Sequence, residues 1–204
     1  MFKIFAAYLK SKIEITEEQL QIIEPFFTEK QCEKGEVLLQ IHEICQYTFF
    51  VTRGCLRSFV IDEKGKEHII QFAPENWWIS EQISLIDQEP AMYGIDAVED
   101  TEYLAVDRQF FNEFHKVISG AREMSGRLQL NSLRAFQKRL VSHLADTGEE
   151  RYLAFIRTYP SLALRLPLKM IASYLGITPE SLSRIRKEIT LQPHPKPFSG
   201  GEGF

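Results

Sequence analysis

Residues 168–189 read LKMIASYLGITPESLSRIRKEI, two short apolar-periodic runs either side of a glycine. The first run carries Ile171, Ala172 and Leu175, and the second carries Leu182, Ile185 and Ile189. Steps of three and four put each set on one face of a helix. Gly176 follows the last periodic residue of the first run, where a helix end favours a residue that tolerates positive φ. Thr178 then suits an N-cap, Pro179 the first helical position, and Glu180 and Ser181 the first turn. Two helices joined by so short a glycine-bearing turn are the helix-turn-helix signature. The second helix of that motif lies in the major groove of DNA with its N-terminal residues against base edges. Its expected open face carries Glu180, Ser183, Arg184 and Lys187. Arg can bond bidentately to guanine and Glu can accept from cytosine N4. The competing reading is an ordinary helical hairpin with a solvated charged face.

This stretch resembles the DNA-reading end of the Crp/Fnr family of bacterial transcription regulators. The E-x-x-S-R run from Glu180 to Arg184 is similar to the Fnr-type recognition helix, and Pro179 stands where the cyclic-AMP receptor type usually has Arg. The resemblance implies a homodimer on a near-palindromic operator whose half-site resembles TTGA. Arg184 is then expected to read guanine, Glu180 an amino group of cytosine or adenine, and Ser183 a base or methyl edge. Lys169, Thr178, Ser181, Arg186 and Lys187 are the candidates for anchoring phosphates. Double-stranded DNA, a second copy of the chain and, for an activator, RNA polymerase are the implied partners, although no motif marks a polymerase-contacting surface.

Charge is divided along the chain in a way that suits this reading. Residues 1–120 hold 11 Lys and Arg against 21 Asp and Glu, a balance of −10, whereas residues 121–190 hold 12 against 6, a balance of +6. An acidic front joined to a basic back fits a sensor domain followed by a phosphate-binding one. No apolar run reaches the roughly eighteen residues of a membrane span, and the N-terminal apolar patch lacks a small-residue cleavage site, so a cytoplasmic protein with no membrane partner is expected. Cys32, Cys45 and Cys55 are odd in number and lack C-x-x-C spacing, which reads as reduced and buried. Three scattered thiols do not supply the four ligands of an iron–sulfur cluster. This separates the chain from Fnr itself.

Residues 1–30 read as helical, with Thr16 and Gln19 placed for a capping box. Residues 31–106 change character. Short β-branched and aromatic runs at 36–40, 47–53, 55–61, 67–72, 94–97 and 101–106 alternate with turn signals, which suggests a β-sandwich or barrel. The layout resembles the cyclic-nucleotide-binding jelly roll of the same family. In members that bind cyclic AMP, a short cassette presents a Gly-Glu pair to the ribose and an Arg-Ser or Arg-Thr pair to the cyclic phosphate. Here Ser80 replaces that Gly, Glu81 keeps the Glu, and Ala91 and Met92 fall on the Arg-Ser pair. No Lys or Arg lies between Lys66 and Arg108, so a buried phosphate would lack a permanent cation. Cyclic AMP is therefore not expected, and no cofactor or metal is assigned. Glu81, Met92 and Tyr93 are kept as effector-pocket candidates, within an apolar group that also takes in Phe72, Trp77 and Trp78. Haem, another option in the family, finds no telling spacing among His42, His68 and His115.

From Asp107 the pattern is helical. A long helix over 121–144 carries two apolar stripes. The first runs through Ala121, Met124, Leu128 and Ala135 with small and medium residues, as close self-pairing prefers, and the family uses this helix as its dimer interface. The second runs through Leu130, Leu133, Phe136, Leu140 and Leu144. Packing of both stripes within one chain is the alternative. A polar break at 146–150, a helix over 149–158 and an extended piece at 162–167 precede the helix-turn-helix, and the Pro- and Gly-rich end forbids the usual β-hairpin wing. The expected fold class is α+β. It comprises a sensor β-roll over 1–118, a dimerisation helix over 119–146, a helix-turn-helix domain over 147–190 and an irregular tail over 191–204. No G-x-S-x-G, P-loop, H-E-x-x-H or Rossmann fingerprint occurs and no carboxylate pair is marked, so an enzyme is not expected. The rival from another class is a ligand-sensing or protein-interaction module whose helical end binds a protein.

Overall fold

The computed structural model describes residues 1–191, so that all but the first residue of the expected tail lies outside the described residues. The chain divides into two compact units, one ending at Val141 and the other beginning at Ser142.

The first unit opens with helices α1 (Phe2–Lys10) and α2 (Glu17–Ile23) and a short 3-10 turn (Glu24–Phe26). The expected capping box starts α2: Thr16 Oγ1 accepts the Gln19 N–H at 3.2 Å while the Thr16 N–H donates to Gln19 Oε1 at 3.0 Å. Strands β1 (Thr28–Cys32), β2 (Val37–Leu39), β3 (Thr48–Arg53), β4 (Leu56–Ile61), β5 (Glu67–Ala73) and β6 (Trp78–Ile79) follow. Helix α3 (Gln82–Asp87), strands β7 (Gly94–Ala97) and β8 (Thr101–Val106), and helices α4 (Arg108–Val117) and α5 (Ala121–Ala145) complete the order. The strands form two antiparallel sheets, β1-β8-β3-β6 and β2-β7-β4-β5. All six strands expected from the sequence are present, with ends moved by no more than one residue.

One expectation is corrected, and two short elements were not announced. The helical reading of residues 1–30 runs too far, because β1 begins at Thr28. Its side chains are mostly exposed, so no apolar alternation announced it. Strand β6 is two residues long and α3 six, and neither is long enough to show a period.

The unit has two cores. Between the sheets lie Leu39, Phe49, Val51, Leu56, Ile79, Leu85, Ile95, Tyr103 and Ala105. On the other side of the β3–β8 sheet, Phe50, Leu104 and Val106 meet Phe5, Leu9, Ile23, Phe110 and Phe114 from the helices. Both faces of β3 are therefore covered, and its residues from Thr48 to Thr52 are all buried, which is why it reads as a nearly unbroken apolar run. Gly54, at φ +92°, turns the chain from β3 into β4; a Cβ there would stand 2.6 Å from the Asp100 carbonyl oxygen, so no other residue fits.

Helix α5 enters this packing with its first turns only: Ala121 and Met124 are buried in the helical core and Leu128 is partly buried against it. Farther along, the β4–β5 ladder skips one residue. Ser58 faces Gln71 and Phe59 faces Ile69, leaving Ile70 as a bulge on an edge strand. The freed Ile70 carbonyl accepts a hydrogen bond from Arg139 Nη1 of α5.

The second unit holds α6 (Gly148–Thr158), α7 (Leu162–Arg165), α8 (Leu168–Leu175) and α9 (Pro179–Leu191). The polar break starts a helix: Thr147 caps α6 in a box with Glu150. The piece expected to be extended at 162–167 contains α7, whose single turn buries Leu162 and Ala163.

Candidate nucleic-acid interface

The interface is built outward from the core of the second unit. Ile171, Ala172 and Leu175 of α8 and Leu182 and Ile185 of α9 are buried. Tyr152 and Phe155 of α6 are buried as well, and Phe155, Tyr159 and Tyr174 form a ring cluster with centroid distances of 5.3–5.9 Å. Gly176 ends α8 in the left-handed region at φ +66°. Thr178 Oγ1 accepts the Ser181 N–H at 3.1 Å, capping α9, and its own proton goes to Ser181 Oγ at 3.1 Å. The turn between the helices is thus fixed by backbone conformation at one end and a side-chain cap at the other. This is the helix-turn-helix read from the sequence.

With Leu182 and Ile185 turned inward, Glu180, Ser183, Arg184 and Lys187 are all exposed, within an arc of about 100° on α9. None of the four has a side-chain partner among the described residues. Glu180 sits in the first turn, close to the positive end of the helix dipole. Two donors, one acceptor and a hydroxyl therefore stand free on one face. Lys169 is exposed on α8, whereas Arg186 is half-buried. Thr178 and Ser181 spend part of their hydrogen-bonding capacity on each other, leaving their remaining lone pairs to any external group.

The effector-pocket candidates separate. Glu81 is 3% exposed and caps α3, accepting the Ser84 N–H at 2.5 Å. Ser84 Oγ in turn accepts the Cys45 N–H at 2.8 Å and donates to the Glu89 carbonyl at 2.5 Å. The Tyr93 hydroxyl donates to the Ser80 carbonyl at 3.0 Å, and burial, with the Glu81 charge adding to it, pushes this phenol's pKa up. Met92 is 71% exposed, unlike buried Glu81 and half-buried Tyr93, so the three do not share one buried environment. Trp78 is also displaced from the group, packing against Phe5 and Phe50 in the helical core at 5.5 and 5.0 Å. The residues present do not fit a cyclic nucleotide. The N-terminus of α3 is already compensated by the Glu81 carboxylate, Ala91 and Met92, which the resemblance aligns with the phosphate grip, carry no charge, and no Lys or Arg lies between residues 67 and 107.

The three thiols are buried. Burial, with the Glu36 charge behind it, pushes Cys32 up to about 11, and burial raises Cys45 too, so neither is a ready thiolate ligand. Among the described residues no group of His, Cys, Asp and Glu could hold a metal ion, and no helix is long and apolar enough to cross a membrane.

The first stripe of α5 is corrected as well. Ala121 and Met124 are 0% and 8% exposed within their own chain, so they are not available to a second copy, and Leu128 leans on the same core; Ala135 alone of the four is exposed. The open apolar surface is the other stripe, Leu130, Leu133, Phe136, Leu140 and Leu144, with Val141 beside it, all more than half exposed.

Comparison with known proteins agrees with this architecture. The cyclic nucleotide-binding domain family matches residues 29–117. The transcriptional activator protein FnrA of Stutzerimonas stutzeri is 26% identical over 165 residues, covering 74% of this chain and 66% of its own length. The fumarate and nitrate reduction regulatory protein of Vibrio cholerae is 24% identical over 176 residues, covering 81% and 68%. The chain thus spans about two thirds of the length of these curated relatives. Among solved structures, FixK2 from Bradyrhizobium japonicum superposes with a TM-score of 0.70 at 20% identity, over 80% of this chain and 84% of its own. The two-sheet roll, long helix and helix-turn-helix are the architecture that this likeness covers. The chain is similar to regulators of the Crp/Fnr type, and these comparisons support that class.

Proposed function

We propose that this chain is a cytoplasmic, sequence-specific DNA-binding transcription regulator that works as a homodimer on a near-palindromic operator, without catalysis and without cyclic AMP as effector. The observation that carries the reading is the unpartnered face of Glu180, Ser183, Arg184 and Lys187 on a capped helix of a helix-turn-helix. Arg184 reads guanine, Glu180 an exocyclic amino group and Ser183 a neighbouring edge, on a half-site resembling TTGA. Lys169, Thr178, Ser181, Arg186 and Lys187 set the register on the phosphates. The exposed stripe of α5 supplies the contact between copies, and a two-fold pair of α9 helices then spans one turn of DNA, about 34 Å. RNA polymerase is the further partner if the regulator activates.

The test is fluorescence anisotropy with a labelled TTGA/TCAA palindrome and a scrambled duplex, over several salt concentrations, with and without cyclic AMP. Preferential binding to the palindrome, falling steeply with salt and indifferent to cyclic AMP, is expected. Binding that requires cyclic AMP would overturn the effector reading. Equal, salt-insensitive affinity for both duplexes would favour the protein-interaction module instead.

A further inference from the structure

The exposed stripe of α5 has a polar interruption. Gly126, Leu130, Leu133, Gln137, Leu140 and Leu144 follow one another at steps of four, three, four, three and four, the a/d pattern of a heptad seam. Leu130, Gln137 and Leu144 take the a positions; Leu133 and Leu140 take d. Gln137 is exposed and has no side-chain partner among the described residues. Phe136 and Val141, at g and e, widen the seam around it.

We infer that Gln137 is the residue that fixes register and orientation when two copies pair through α5. This rests on the homodimer reading above. In a parallel, in-register pair the two Gln137 side chains lie in the same layer, and each amide offers a donor and an acceptor to the other. A shift of one heptad sets each Gln137 against a leucine, and an antiparallel pair sets it in a layer with a d-position residue. Either alternative buries an amide without a partner. Phe136 and Val141 favour the same arrangement, because a g residue of one parallel helix meets the e residue five positions on in the other. The amide weakens the seam relative to leucine and in exchange excludes the wrong pairings.

The experiment uses the full chain with Ala135→Cys, on the outer face of α5, as a spin-label site; the native cysteines are buried. Inter-label distances are measured by pulsed dipolar spectroscopy and dimer affinity by sedimentation equilibrium. A single narrow distance is expected with Gln137 or with Gln137→Asn in place. Gln137→Leu should bind its copy roughly tenfold tighter or better while spreading into a second distance or into trimers. Gln137→Leu retaining the single narrow distance overturns the inference, whatever its affinity. Leu140→Glu separates the two readings: a pair that it leaves intact shows that α5 is not the contact, and both proposals then fail.

Discussion

Both ends of α5 carry apolar side chains and use them differently. The turns from Ala121 to Leu128 are closed off by α4 and the N-terminal helices, whereas the turns from Leu130 to Leu144 keep theirs open to water. Helical periodicity reports which side of a helix is apolar and is silent on what covers it. The size rule behind the first assignment misled for a physical reason. Small residues mark close helix crossings, and the close crossing at Ala121 is with the chain's own core.

Substitutions along this helix can break the contrast. Leu140→Glu should have the largest effect, because pairing would bury two unpaired carboxylates; a weakening of about a thousandfold is expected, with operator affinity falling alongside it and the circular dichroism of the monomer intact. Met124→Ala should do the reverse, costing about 2–3 kcal/mol in urea unfolding of the first unit while leaving the dimer constant unchanged. If Met124→Ala instead dissociates the dimer, the assignment of the two ends is wrong. The same division between buried and open sides recurs on α9. There Arg184→Ala should cost about 1–3 kcal/mol on the cognate duplex and relax one base position, while Lys187→Ala weakens cognate and scrambled DNA alike and lowers the salt slope by about one. Smallest is Thr178→Ala, which removes a cap and should cost about 1 kcal/mol of stability in the second unit.

The helix-turn-helix was legible because its determinants are local: a glycine at positive φ, a threonine cap and a proline lie within four residues of one another. Strands β7 and β8 were likewise legible to the residue, as compact runs between turn signals. Strand β1 was not. Its pairing with β8, Thr28 against Ala105 through Cys32 against Thr101, joins segments some seventy residues apart and leaves β1 polar outside. The cassette shows the same limit. That Glu81 would be present was plain, but its engagement by the Ser84 N–H depends on a helix of six residues, too short to leave a period. For the exposed stripe the signal was available, since its leucines keep strict heptad steps, and only Val141 went unnoticed beside them.

The bulge at Ile70 also bears on how the molecule behaves when crowded. Strand β5 is the outer member of its sheet, and an outer strand with an unbroken row of amides is a template on which another chain can grow. Here the row is interrupted at Ile70, and the carbonyl that the interruption frees is occupied by Arg139. On the homodimer reading proposed above, a copy that docks on the leucine seam is thereby denied a second, open-ended way to attach. Fibrous growth is discouraged at the edge where it would begin.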